Sequence, residues 1–158
     1  MINATPISAV PYLSPQDAQL AAGTADPSYG AVGLVVDPED RVLIQLRDDK
    51  PEIVHPGLWS IPGGLADPGE DAHATVIREL YEELQLTVTD PVTFGSVVDR
   101  EGRGHILAAF LVRTEATIDD LVLGEGQEMR FCAVDEALQL DLVPFARRLI
   151  EALAAAPV

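Results

Sequence analysis

The sequence predicts one α/β domain, a mixed sheet with helices packed on it, from three features. "YGAVGLVVD", residues 29–37, reads as a buried strand. "DAHATVIRELYEELQL", residues 71–86, repeats Ala72, Val76, Leu80 and Leu84 at four-residue spacing, with Ile77 beside them, which is the core-facing stripe of a helix. Two more strand-like runs, "PVTFGSVVD" and "GHILAAFLVRT", then flank the polar turn "REGRG" before a last apolar-striped helix. Strands and helices in that order suit a layered sheet. At 158 residues the chain can bury one core but not two comfortable ones.

Residues 1–28 read as an arm, flexible or set against a partner, punctuated by Pro6, Pro11, Pro15 and Pro27, with Ser14-Pro15 suited to cap a short helix. Residues 29–158 form the predicted domain. After the first strand, "PEDR" is a tight turn and "VLIQLR" the second arm of a hairpin, with Leu43, Gln45 and Arg47 on one face. "DDKPEIVHPG" is a polar loop, and "LWSIP" a short strand that delivers the chain to Gly63-Gly64. "IDDLVLGEGQEMRFCAVDEALQL" holds a loop, a short strand near Met129–Cys132 and a helical turn. "DLVPFARRLIEALAAA" is a terminal helix started by Asp141, with Phe145, Leu149 and Leu153 on one side.

Charge narrows the partners. With 26 acidic residues against 10 basic ones, and a formal charge of −16, there is no basic surface to release counterions from a nucleic-acid polymer. A small phosphorylated ligand remains compatible, because a bound divalent ion inverts the local field. Cys132 is the only cysteine, so neither an intrachain disulfide nor a thiolate metal cluster can form, and a cytoplasmic protein is expected. The N-terminus lacks the basic start and apolar run of a signal peptide, and no apolar run approaches the ~20 residues of a membrane helix.

The chemistry concentrates on the long helix. Glu79, Glu82 and Glu83 stand at i, i+3 and i+4, hence on one face, away from the Val76/Leu80/Leu84 stripe. Three close carboxylates raise one another's pKa unless a hard cation sits among them, and oxygen-only ligands suit magnesium or manganese. The plain alternative is a solvated acidic face. Spacing argues against it. Gly64, five residues, Glu70, seven residues, "RELYEE", one residue and an aliphatic, Leu86, resembles the signature of the Nudix (MutT-like) hydrolases, with Gln85 where that signature has its last glycine. A glutamine there bears a left-handed penalty of roughly 1 kcal/mol or changes how the helix ends.

The resemblance covers roughly residues 29–152 and implies a Nudix α/β/α sandwich whose signature is a loop-helix-loop box. It further implies that the Gly63 carbonyl, Glu79 and Glu83 hold Mg2+ or Mn2+ with Glu82 close by, and that Arg78 orients the carboxylates and pairs with Glu70. A glutamate on a distant loop in a "GEGQ" setting completes such sites; here that is Glu125, with Glu128 as its rival. The base is one of Glu79, Glu82 and Glu125. Arg47 is either a phosphate contact or a surface arginine paired with Asp48 or Asp49. Trp59 and Phe131 are either stacking partners for a base or packing residues, and Asp141 either accepts from a guanine edge or caps the last helix.

Implied function is hydrolysis of a nucleoside diphosphate linked to X, such as a nucleoside triphosphate or nucleotide-sugar, a small phosphorylated substrate. Dimers are common in the family, so a homodimer is one expectation. Subclass marks are sparse: "VVDREGRGH" lacks the proline of ADP-ribose hydrolases, and no coenzyme A motif precedes the box. The 8-oxo-dGTP sanitising enzymes are closer in length and in the "GEGQ" loop, but "LDLVPF" lacks the asparagine that one bacterial type uses. Two other readings stand beside this one. The first is the same fold acting on a non-nucleotide diphosphate intermediate. The second is a nucleotide-sensing module without turnover, which complete box carboxylates disfavour.

Overall fold

The structure is a computed structural model, and it describes residues 29–156. The arm expected over residues 1–28 lies outside the described residues. The described residues hold seven strands, β1 (Tyr29–Val36), β2 (Arg41–Leu46), β3 (Trp59–Ser60), β4 (Gly63–Leu65), β5 (Val92–Val98), β6 (Ile106–Arg113) and β7 (Glu128–Ala133). Their helices are α1 (Ala72–Leu84), α2 (Val134–Ala137) and α3 (Pro144–Ala155), with a 3-10 turn at Ile118–Asp120.

The strands make one mixed sheet in the order β3-β2-β1-β6-β5, with β4 added on β1 and β7 on β2. β1 and β6 run parallel from Tyr29↔Ile106 to Val36↔Arg113; every other pairing is antiparallel. Alternation sorts β1 into two faces. Val32, Leu34 and Val36 join Phe145, Leu149, Ile150 and Leu153 of α3 in one core. Ala31 and Val35 join Val76, Leu80 and Leu84 of α1 in the other. The sheet is thereby covered on both faces, an α/β/α sandwich.

The hairpin expected from "PEDR" forms, but as a fork. Asp37 is buried, and its carboxylate accepts the amides of Glu39 at 3.0 Å and Arg41 at 2.9 Å, which fixes the turn. Beyond it β1 and β2 share only Val36↔Val42 and then diverge. The gap is filled by the segment after the polar loop: β3 pairs with β2 through Gln45↔Ser60, and β4 pairs with β1 through Val32↔Gly63. β4 is unexpected, because a strand starting Gly-Gly has no alternating side chains to announce it. α3 starts at Pro144 with Val143 as N-cap, not at Asp141; the pyrrolidine needs no helical donor at that position. Asp141 instead accepts the Trp59 amide through its carbonyl at 2.9 Å.

Candidate active site

α1 is held at both ends. The Asp71 side chain accepts the Ala74 amide at 2.7 Å. At the far end Gln85 takes the left-handed conformation, φ 54° and ψ 33°, and donates to the Tyr81 carbonyl at 2.8 Å. Leu86 then donates to Leu80 at 3.3 Å and buries its side chain in the same core. This is the left-handed αL ending, built without glycine. With Val76, Leu80 and Leu84 turned to the sheet, Glu83 and Glu79 stand on the flank of that stripe and Glu82 farther round.

Arg78 organises the outer part of that face. Its guanidinium grips Glu70 with two bonds, Nε–Oε2 2.8 Å and Nη2–Oε1 2.9 Å. It also reaches Glu79 Oε1 at 2.9 Å and Glu82 Oε2 at 3.0 Å, and donates to the Leu65 carbonyl at 3.0 Å. Glu70 additionally accepts the Asp67 amide at 3.0 Å and the Thr75 hydroxyl at 2.8 Å. The Arg78 bond, then the Asp67 and Thr75 bonds, hold its carboxyl down at about 2, and the bond to Glu70, then Glu79 and the Asp67 charge, push the Arg78 pKa up. Gly64 packs flat on this network, since a Cβ there would lie 2.6 Å from both Glu79 carboxylate oxygens.

Glu83 lies deeper. Burial first, then the charges of Glu79 and Glu125, push its carboxyl up to about 8, against a hydrogen bond from the Gly63 amide. Glu125 arrives from the loop before β7. That loop is tied down by Val122 N–H to Leu84 O at 3.0 Å, Gly124 N–H to Glu83 O at 3.0 Å, and Gln127 N–H to Leu46 O at 2.8 Å. Glu128 is placed elsewhere: it opens β7 opposite Leu46, with more than half of its side chain exposed and an Arg130 ion pair at 4.0 Å.

Glu83, Glu125 and Gly63 line a cavity of about 320 Å³ with Gln45, Arg47 and Ser60. It sits in the fork between β1 and β2. A second cavity of about 240 Å³ shares Arg47, Ser60, Ile61 and Gly63 with it and continues past His55, Asp99, Arg103, Leu107 and Phe145. Arg47 is anchored by its Nε on the Val54 carbonyl at 2.9 Å, which leaves the rest of its guanidinium at the junction. His55 and Asp99, 3.0 Å apart and both nearly buried, clamp the long polar loop to the β5–β6 turn.

Of the residues singled out in the sequence, Gly63, Glu83, Glu125 and Arg47 line the first cavity, and Glu79 faces Glu83 beside it. Glu70, Arg78 and Glu82 form the adjoining ion-pair network, where Glu82 is 57% exposed. Three residues are not brought there. Trp59 is core, packed with Val32, Ile61 and Phe145 and overlaid by Arg130 at 4.7 Å, so its ring has no open face for a base. Phe131 packs toward α1 and lines a separate hollow with Arg41 and Thr117. Asp141 is exposed beyond the cavity wall. Sequence reasoning left Gln45, Ser60 and the His55–Asp99 clamp without a role; a polar side chain on the inward face between Leu43 and Arg47 was the one available signal for Gln45.

Among the described residues no three acidic, histidine or cysteine side chains close into a preformed cage, since Glu79 and Glu82 are turned to Arg78. The donor set nevertheless fits a hard cation. Glu79 and Glu125 both lie near enough to Glu83 to raise its pKa, and the set is all oxygen, with no thiolate or imidazole among them. Among the described residues no helix is long and apolar enough to cross a membrane.

A family model described as the NUDIX domain matches residues 27–153. The CTP pyrophosphohydrolase of Escherichia coli (strain K12) is 29% identical over 124 residues, covering 78% of this chain and 90% of that protein. An 8-oxo-dGTP diphosphatase of Proteus vulgaris is 31% identical over 85 residues, 54% of this chain and 74% of that one. The crystal structure of a mutT/nudix family protein from Listeria innocua superposes with a TM-score of 0.69 at 24% identity, over 82% of this chain and 94% of that chain, a likeness of fold.

Proposed function

Because the chain belongs to the NUDIX family, a family of hydrolases acting on phosphoanhydrides, we propose that it is a divalent-metal-dependent pyrophosphohydrolase of nucleoside triphosphates. One observation carries the reading: a carboxylate-bearing cavity and a partly apolar one adjoin, and Arg47, Ser60, Ile61 and Gly63 belong to both. A polyphosphate in the first and its nucleoside in the second would be joined where Arg47 stands. The similarity to the Escherichia coli CTP pyrophosphohydrolase, which spans most of that protein, points the same way.

Glu79, Glu83, Glu125 and the main chain of Gly63 would hold the magnesium or manganese ion. When bound, it supplies charge for the phosphate oxygens and lowers the pKa of water. Arg47 neutralises and orients the phosphate chain for attack at phosphorus, where charge grows on the equatorial oxygens. We assign the water proton to Glu125, because Glu79 and Glu82 each have an oxygen engaged by Arg78. Arg78 and Glu70 act one step back, by fixing where Glu79 points.

The test is a panel of ribo- and deoxyribonucleoside triphosphates, 8-oxo-dGTP, nucleotide-sugars and non-nucleotide diphosphates, with magnesium, reading pyrophosphate and phosphate separately. Turnover of a triphosphate to monophosphate and pyrophosphate is expected. Preferred cleavage of a nucleotide-sugar or a non-nucleotide diphosphate would replace the substrate class.

A further inference from the structure

The wall of the first cavity holds a group that the site as described does not use. Gln45 is only 8% exposed, lines the cavity, and its Nε2 has no hydrogen-bond acceptor among the described residues. Its backbone is secured on both sides, against Ser60 of β3 and Met129 of β7, so the side chain projects from one of the most constrained strands. A buried amide donor left without an acceptor is costly, and a strand position between Leu43 and Arg47 accepts an apolar residue without strain. An amide at such a place calls for an acceptor that arrives from outside.

We propose that Gln45 is a substrate-binding residue whose Nε2 donates to an anionic oxygen of the substrate's phosphate chain. Position decides the class of acceptor. Arg47 follows two residues on, on the same strand face, and lines the same cavity, so the two form a row of donors. Glu83 and Glu125 line the same cavity and supply acceptors. A polyphosphate, which offers acceptors only, is met by the donors; the carboxylates repel it unless a cation lies between. A sugar or base hydroxyl would accept from Nε2 as well, but it carries no charge for Arg47 to neutralise. The inference rests on the proposed function for the phosphate-bearing substrate, and it adds the residue that recognises it.

Gln45→Met (Q45M) keeps length and volume and removes the donor; Gln45→Leu (Q45L) serves as a second apolar variant. Three readouts on the full chain decide. Thermal midpoint without ligand should be unchanged or higher, because an unpaired buried amide is lost. Binding of inorganic pyrophosphate with magnesium, by calorimetry, should weaken roughly tenfold to a hundredfold, the loss expected for one hydrogen bond to a charged group. Affinity for an unphosphorylated nucleoside should not change. The pyrophosphate titration needs no turnover, so it judges Gln45 even if the substrate panel finds no triphosphate cleavage. A lower midpoint with unchanged pyrophosphate affinity would make Gln45 a structural residue and overturn the proposal, as would a wild-type chain that does not bind pyrophosphate.

Discussion

The amide of Gly124 donates to the carbonyl of Glu83 at 3.0 Å, so the loop that carries Glu125 is fastened to the helix turn that carries Glu83. The bond does two things at once. It satisfies a carbonyl that the end of α1 leaves without an intrahelical partner. It also sets the distance between two carboxylates that originate 42 positions apart in the chain (125 − 83). A Cβ on residue 124 would lie 2.6 Å from that same carbonyl, so only glycine permits the approach.

Loop placement separates the two late glutamates. Glu125 lines the cavity beside Glu83, whereas Glu128 starts β7 and leans on Arg130. Glu125→Gln (E125Q) should lower kcat by roughly a hundredfold to ten-thousandfold, the usual worth of a general base, with little change in KM. Glu128→Gln (E128Q) should stay near wild type. Steady-state kinetics across a magnesium series checks the role. If excess magnesium restores most of the E125Q rate, Glu125 serves only as a metal ligand and the base lies on α1.

Glu83 predicts how metal and protons compete. Its carboxyl is raised from 4.5 to about 8 in the folded chain, so between those values the folded state holds a proton that the unfolded state has released. Its contribution to the metal-free protein is therefore full below about pH 4.5 and is lost as pH rises toward about 8. Thermal midpoints in chelator should fall over that window, and Glu83→Gln (E83Q) should flatten the fall. A cation selects the carboxylate instead. Calorimetric magnesium titration at pH 7, in buffers of different ionisation enthalpy, should show proton release in wild type and none in E83Q, whose affinity should be largely gone. Equal proton release in both would place the titrating group elsewhere.

The opposite sign holds at Glu70. Its carboxyl is lowered to about 2 by Arg78, so the stability it lends is full above the ordinary carboxylate value of 4.5 and is lost as pH falls toward about 2. Glu70→Gln (E70Q) should be less stable than wild type at pH 6 and should approach it near pH 2. Midpoints measured across that acid range test the sign. A constant gap between the two proteins at every pH would mean that Glu70 acts by packing and not by charge.

Much of this site could be read from spacing, because a helix converts i, i+3 and i+4 into one face whatever surrounds it. Glu79, Glu82 and Glu83 needed no tertiary information, and neither did the Val76/Leu80/Leu84 stripe. What long-range pairing decides could not be read so. The turn at Asp37 announces that the chain reverses, but not that β1 and β2 part after Val36↔Val42 to admit β3 and β4. That fork creates the cavity, so Gln45 and Ser60 acquired their place only with the fold. The sequence leaves Trp59 open between stacking and packing for a related reason: its amide and carbonyl both pair with the distant segment before α3, which carries the ring into the core.

Gln85 offers a stability gain at no expected cost in activity. It holds φ 54°, a conformation that costs an L-residue roughly 1 to 2 kcal/mol and glycine almost nothing. Replacing it with glycine also frees the unfolded chain, which takes back roughly 0.4 to 1 kcal/mol. The difference, from about zero to about 1.6 kcal/mol, favours Gln85→Gly (Q85G), and each 1 kcal/mol is worth about 2–4 °C in Tm for a domain of this size. Gln85 is exposed and lies beyond Glu83, so kcat and KM should hold. Gln85→Val (Q85V) is the converse test, because a β-branched side chain is strained in the left-handed region. It should lower Tm, and should lower kcat as well if the Leu86 to Leu80 bond gives way and the Gly124 contact on Glu83 shifts with it. A Tm that falls in Q85G would show that the glutamine side chain contributes more than its backbone costs.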